Sequence, residues 1–519
     1  MLVKTRTKYR STYINTSLNS LIKQLLQEMG AGIQISPSAY DTAWVARLAE
    51  IGEPIGEEAL EWLRSNQLED GSWGASEPLY YHDRVICTLS AIIALSTTGE
   101  SQDWSRIEKA IPTLREYATK LDLDPAGETI AFEMLLPTLM AEAKALGILP
   151  QGGTAKLNNM VHIRTHKLAN SPGRKISRLV TLAFSSEIAG TDGLHVLDVN
   201  NLQEPNGSVG YSPSATAHFV RYVSPHNQRG LQYLKTISRN GGFANVVPFD
   251  VFEQAWVLWN LSITNVLDEG LIAICQTQLD SLEKAWKPGK GVGYNANYLA
   301  KDSDETGVAF EVLSRFGRSL DLDAILGYEE DEYFRCFEIE ANPSISANIH
   351  VLGALREAGF SIQDTPIRKI NNFLRQKRTP KGYWIDKWHA SPYYPTAHAI
   401  IANAGYDNAL VKDAVSWIIS TQNSNGSWGY YTPTAEETAY CLQALSIWRQ
   451  NYGTIPFGVI ERGVYWLVNH MDPPYPPLWI GKCLYSPNLV IRSAILSALI
   501  LSSQMALISS KNGVNFSDS

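Results

Sequence analysis

Apolar positions recur at helical spacing in segment after segment of this chain, as in "TGVAFEVL" (Thr306 to Leu313), while the alternation of a strand is scarce. The pattern predicts an all-α protein. Glycine-rich turns punctuate the helices, and they repeat: "QLEDGSWG" (Gln67 to Gly74) returns as "QNSNGSWG" (Gln422 to Gly429) and, weakened, as "QEPNGSVG" (Gln203 to Gly210). Asp or Asn before Gly is turn chemistry, and the Trp that follows can fold back as a staple over a neighbouring helix, the role expected of Trp73 and Trp428. A second repeated element opens helices: "SAYDTAWVARL" from Ser38, "SPSATAHFV" from Ser212, "DETGVAFEVL" from Asp304, "PTAHAII" from Pro395 and "EETAYCLQAL" from Glu436. A hydroxyl or carboxylate at the N-cap followed by small residues lets a helix begin close to its neighbours. Helix pairs repeated in this way close into toroids whose inner helices gather their N-termini around a cavity. Copies of the turn near residues 70 and 425 predict two barrels, with the break close to "FANVVPFD" (Phe243 to Asp250) and the helix after it.

Composition narrows what those barrels do. At 519 residues, 45% hydrophobic and 18% charged, the chain exceeds one ordinary core and has no apolar run long enough to span a membrane. The net charge of -8 argues against nucleic acid as a partner. Cys87, Cys275, Cys336, Cys441 and Cys483 are scattered and odd in number, which predicts neither a disulfide framework nor a thiolate zinc site, and makes the cytoplasm the expected compartment. His82, His218, His350, His389 and His398 read as structural histidines, since none falls in a zinc-binding pattern. "KDSDETGVAF" (Lys301 to Phe310) stands out because Asp302, Asp304 and Glu305 crowd the start of an apolar helix. Alone, such a cluster is an exposed helix N-terminus with acids matched to the dipole.

Several separated segments together change that reading. "SAYDTAWVARL", "FEMLLPTLMAEAKALGI" (Phe132 to Ile148), "NGSVGYSPSATAHF" (Asn206 to Phe219), "ANVVPFDVFE" (Ala244 to Glu253), "DSDET" (Asp302 to Thr306) and "DKWHASPYYPTAHA" (Asp386 to Ala397) resemble the class II terpene cyclases of the copalyl diphosphate synthase type, in family order across nearly the whole chain. The resemblance implies a double-barrel body with a γ domain over 31–259 inserted into a β domain made of 1–30 and 260–519, and no class I α domain. It implies cyclisation of geranylgeranyl diphosphate, started by protonation and ending at a bicyclic labdane or copalyl-type diphosphate. A downstream class I terpene synthase or a phosphatase would then consume the product. A farnesyl diphosphate cyclase giving a drimane-type diphosphate, or a noncatalytic isoprenoid-binding toroid, is the alternative. No Asp-Asp-x-x-Asp run occurs, so ionisation of the diphosphate is not expected.

The family's Asp-x-Asp-Asp reads Asp302-Ser303-Asp304-Glu305 here, departing at its last position. The resemblance makes Asp304 the general acid, supported by Asp302 and Glu305. Crowded carboxyls in a desolvated pocket keep one protonated near neutrality, because like charges resist joint ionisation and burial disfavours the anion. It also points to Lys167, in "RTHKLANSPG", as a grip on the diphosphate, with Lys482 as a second cation. Mg²⁺ is implied near "LDLDPAGETIAFE", where Asp122, Asp124 and Glu128 are the matching carboxylates. Tyr294, Tyr298, Trp384, Trp388, Tyr393 and Tyr394 lie beside the recognised segments and are candidates to face the cation. For the terminating step, Asn245 matches the family's Asn, whereas Ser185 stands where the family has a His.

Overall fold

The structure, a computed structural model, describes residues 18–29, 34–149, 155–169, 175–265, 269–338, 340 and 342–511. After α1 (18–28), the first unit holds α2 (Ala39–Ala46), α3 (Pro54–Ser65), α4 (Tyr81–Thr98), α5 (Asp103–Tyr117), α6 (Phe132–Ala145), α7 (Ala155–Ala169), α8 (Pro213–His218) and α9 (Gln228–Ile237). Its inner ring closes through α2, α4, α6, the 3-10 stretch Thr181–Ala189 and α8 back to α2, with α3, α5, α7 and α9 packed outside. The second unit comprises α10 (Asp250–Ser262), α11 (Glu269–Ala285), α12 (Ser303–Arg315), α13 (Asp323–Leu326), α14 (Ile345–Glu357), α15 (Thr365–Lys377), α16 (Tyr393–Asn403), α17 (Asn408–Ser420), α18 (Ala435–Asn451), α19 (Phe457–Val468) and α20 (Asn488–Lys511). There α10, α12, α14, α16, α18 and α20 pack each on the next and close into a ring, with the odd-numbered helices outside. α1 is tied to this second body by the Glu28–Arg492 ion pair. α10 belongs with it too, packing on α12 and α20 rather than on the first ring, so the change of unit falls before Asp250 instead of after residue 259.

Both repeated elements have one physical role. Gly71, Gly207 and Gly426 adopt φ of 88°, 91° and 94°, and the missing Cβ of each admits the backbone carbonyl of Lys109, Arg229 or Arg462. In this left-handed region only glycine is free of strain. Beyond the turn, the indole of Trp73 donates to the Leu63 carbonyl at 2.8 Å and that of Trp428 to Ile418 at 2.7 Å, each reaching back ten residues. The same Trp backbone N–H groups donate to Thr88 and Thr438 at 3.0 Å, so the threonine of the next inner helix is what holds the turn down. Val209 with Thr216 and Val292 with Thr306 repeat this link without the indole. Caps follow the expected chemistry: the side chains of Ser38, Ser212, Asp302 and Thr434 accept N–H bonds at the starts of α2, α8, α12 and α18.

Trp384 belongs to this set, which corrects its expected place in a substrate pocket. It is fully buried, its indole donates to the Leu374 carbonyl at 2.8 Å, and its backbone N–H donates to Thr396. Trp384→Phe therefore leaves a buried carbonyl without its donor. It is expected to lower stability by about 1–3 kcal/mol in denaturant titration while leaving the reaction products unchanged.

Of two short antiparallel ladders, the first joins distant segments and the second is a tight hairpin. β1 (Pro37–Ser38) pairs with β2 (Phe243–Ala244), Pro37 opposite Ala244, and β3 (Trp479–Ile480) pairs with β4 (Leu484–Tyr485). The β3–β4 turn drives Lys482 into the first unit, where Nζ donates to Glu187 Oε1 at 2.6 Å, to the Ser212 and Ser214 hydroxyls at 2.7 and 2.6 Å, and to the Phe184 carbonyl at 2.7 Å. Its side chain is 0% exposed. Lys482 is thus a strut between the units, and with every proton engaged it has none left for a diphosphate. No helix among the described residues is long and apolar enough to cross a membrane.

Candidate active site

Between the two rings lies a cavity of about 610 Å³. The first unit supplies Ser185, Ile188, Asn245 and Val246 to its wall, and the second supplies Asp302, Asp304 and Glu305 from the N-terminus of α12. Asp302 caps that helix by accepting the Glu305 N–H at 2.8 Å, which leaves its buried Oδ2 without a partner. Asp304, one residue into the helix, accepts from Ser346 at 3.0 Å on Oδ2, and its Oδ1 is bonded to His350 Nδ1. Ser346 and His350 lie one turn apart on α14, so one helix face serves both oxygens. Ser346 also reaches Asp386 Oδ2 at 3.0 Å, and Asp386 is held by the Ile345, Ser346 and Trp388 N–H groups.

Burial pushes the Asp302 carboxyl up to about 6, with the Asp304 charge adding to the shift. Burial, then the Asp302 and Asp304 charges, pushes Glu305 well above the ordinary carboxylate range. Both groups bind a proton more tightly folded than unfolded. The stability they contribute is therefore present at low pH and is lost as pH climbs, from about 4 through 6 for Asp302 and continuing to higher pH for Glu305. Unfolding midpoints measured from pH 4 to 8 are expected to fall across that window, and Glu305→Gln is expected to flatten the fall by removing one charge of the pair.

His350 continues away from the cavity. Its Nε2 lies 2.9 Å from His398 Nδ1, and burial, reinforced by His350 and His389, keeps His398 far below its usual range and neutral. His398 Nε2 is buried and without a protein partner. Both rings border a second, polar cavity of about 410 Å³ at the C-terminal ends of the inner helices, walled by Glu311, Arg315 and Arg356 and reaching the surface at Gln450 and Asn451. One set of tautomers satisfies every ring nitrogen: His350 donates from Nδ1 to Asp304, His398 donates from Nδ1 to His350 Nε2, and His398 Nε2 accepts from the polar side. His350 and His398 thus form a chain of hydrogen bonds that links Asp304 to the polar cavity.

Aromatic faces surround the first cavity. Tyr294 and Tyr298, 4.1 Å apart between centroids, and Trp388 line it as expected. Phe252, Trp256 and Trp479 complete the wall near the acid, with Trp256 edge-on to His350 at 4.6 Å. Phe252 and Trp256 are one helical turn apart on α10, a periodicity visible in "DVFEQAWVLW" but equally compatible with core. Tyr393 is not in the wall: it stacks on Trp417 at 4.7 Å. Tyr394 sits one layer behind, against His389 and Trp479.

At the mouth, Lys167 is half exposed and its Nζ lies 2.6 Å from Glu133 Oε1, and both residues line the cavity along with Glu128. Lys387, in the quoted "DKWHA", is a second cation in this wall, bonded to Glu340. The three proposed metal carboxylates do not converge. Asp124 is buried, accepting the Tyr81 N–H at 3.0 Å and the His82 N–H at 2.8 Å, and pairing with the His82 ring; it anchors α4. Asp122 is exposed and outside the cavity wall, leaving Glu128 of that trio at the mouth, beside Glu133. His218 and His389 are bonded to the Gly190 carbonyl and to Glu436, as expected of structural histidines. On the opposite wall Ser185 occupies a kink with φ -121° and ψ 37°, and Asn245 donates from Nδ2 to Asp41 Oδ2 at 3.0 Å.

Comparison with known proteins bears directly on this arrangement. Residues 338–470 match the family model described as "Squalene-hopene cyclase C-terminal domain". The chain is 44% identical over 491 residues to the "Type B diterpene cyclase" of Mycobacterium tuberculosis, covering 92% of this chain and 98% of that one. It is 32% identical over 503 residues to the "Ent-copalyl diphosphate synthase" of a Streptomyces species, covering 91% and 93%. The structure of ent-copalyl diphosphate synthase from Streptomyces platensis superposes with a TM-score of 0.77 at 30% identity, over 94% of this chain and 99% of that one.

Proposed function

The chain belongs to the class II diterpene cyclases of the copalyl diphosphate synthase type, and from that premise we propose that it cyclises geranylgeranyl diphosphate to a bicyclic labdane or copalyl-type diphosphate. The observation that carries the proposal is Asp304, set in the wall of an aromatic-lined cavity with both its oxygens hydrogen-bonded from behind. The terminal alkene lies against Asp304. The carboxyl O–H breaks, its proton adds to the alkene, and the tertiary cation that forms is attacked in turn by the next two double bonds. His350 and Ser346 stabilise the carboxylate left behind. The aromatic faces hold the cation without acting as nucleophiles, and an apolar wall disfavours its early capture by water.

The diphosphate remains at the mouth, where Lys167 and Lys387 neutralise it. Mg²⁺ is proposed there as counter-ion, held by Glu128 and Glu133, and when bound it would screen the diphosphate charge. After each turnover Asp304 must regain a proton. The supply runs from the polar cavity into His398 Nε2, from His398 Nδ1 to His350 Nε2, and from His350 Nδ1 to Asp304.

Incubation with geranylgeranyl diphosphate and Mg²⁺, followed by phosphatase treatment and mass spectrometry of the alcohols, tests the reading. A bicyclic alcohol supports it. Recovery of unchanged geranylgeraniol, together with a bicyclic product from farnesyl diphosphate, would replace the substrate with the shorter one.

A further inference from the structure

Asn245 is held from two sides, and the two restraints fix which end of its amide meets the cavity. Asp41, fully buried on α2, accepts the Asn245 amide at 3.0 Å on Oδ2. The same carboxylate accepts the Ser38 hydroxyl at 2.8 Å on Oδ2 and the Ser214 N–H at 3.2 Å on Oδ1. A carboxylate so placed only accepts, and therefore demands the nitrogen end of the amide. Opposite it, the Asn245 carbonyl oxygen lies against Gly481, where a Cβ would come within 2.1 Å of it. Gly481 is itself part of the cavity wall, and among the described residues no donor is bonded to Asn245 Oδ1.

We propose that Asp41 and Gly481 are positioning residues for the terminating step: they lock Asn245 with its carbonyl oxygen toward the hydrocarbon, so that the cavity is offered an acceptor and never a donor. This rests on the cyclase reading above. A water that donates one hydrogen to Asn245 Oδ1 keeps a lone pair free for the substrate. That lone pair takes a proton from a carbon beside the final cation: the C–H bond breaks, its electrons become the new C=C bond, and the water leaves as hydronium. With the amide reversed, the nitrogen would donate to the water instead, occupying one of its two lone pairs and drawing charge from its oxygen, which makes it a weaker base. The identity of the product thus depends on an aspartate that never touches the substrate.

Asp41→Asn removes the demand for nitrogen, because the new amide can donate to a reversed Asn245. Gly481→Ala acts from the other side by expelling the carbonyl oxygen. Each is expected to keep substrate consumption within about fivefold of native while raising alternative alkenes or a hydrated product from traces to a tenth or more of the total. Should Asp41→Asn fail to fold, Gly481→Ala decides the question without disturbing the Ser38 and Ser214 bonds. Native product ratios from the folded variants, with Asn245→Ala altering them, would overturn the locking role. A native protein that forms no cyclic product would instead overturn the cyclase reading, so the two failures are distinguishable.

Discussion

Asp304→Asn is expected to abolish cyclisation, with kcat down by at least about 10⁴-fold and the fold intact by circular dichroism. The argument is chemical rather than statistical. An unactivated alkene is a very weak base, and protonating it requires an O–H that is both dry and backed by donors ready for the resulting anion. An amide has no such proton, yet it keeps the shape of the carboxyl and can still accept the Ser346 bond, so packing around α12 should survive. General acids contribute about 10²–10⁴-fold in ordinary reactions, and this one must do more because the alkene it protonates is so weak a base. Product formation by the variant above a ten-thousandth of the native rate would remove Asp304 from the role of acid. Asp302 could not then inherit it easily, since its carboxylate caps the helix.

The second large effect concerns His350. His350→Ala removes the hydrogen bond that stabilises the Asp304 carboxylate and breaks the path by which it regains a proton, and a loss of about 10²–10³-fold in kcat is expected with KM little changed. Rapid-quench kinetics separate the two contributions. His398→Leu touches the supply and not the acid's own hydrogen bonds, so the first turnover should proceed near the native rate while later turnovers slow. A first turnover slowed as much as the rest would mean that His398 acts by packing against Trp259, on which it is stacked at 4.7 Å.

The features legible in sequence were the local ones. The caps, the glycine turns and the acids Asp302 to Glu305 are each set by residues within one or two helical turns, and the pairing of turn with threonine could be seen as two repeats before its hydrogen bond was known. The partners of the acid were not legible. Ser346 and His350 lie 42 and 46 residues from Asp304, and nothing along the chain says that α12 and α14 are neighbours in the ring. His350 looked structural because a lone histidine on a helix usually is. Lys482 looked like a free cation because its acceptors lie 268 to 298 residues earlier and converge only when the β3–β4 turn enters the first unit. Trp384 was misjudged because its turn, "KGYW", departs from the repeated "GSWG", although the ten-residue reach to Leu374 was there to be counted.

The cavity is bounded by two rings of helices, and the proposed proton donor hangs from one while Asn245 and Ser185 hang from the other. On the proposed function, starting the reaction and ending it are inherited from different halves of the molecule. Drift in the first ring can redirect a common cation toward a new hydrocarbon skeleton without weakening the acid that generates it. A lineage of such proteins is free to diversify its chemistry at one wall while the opposite wall stays constant.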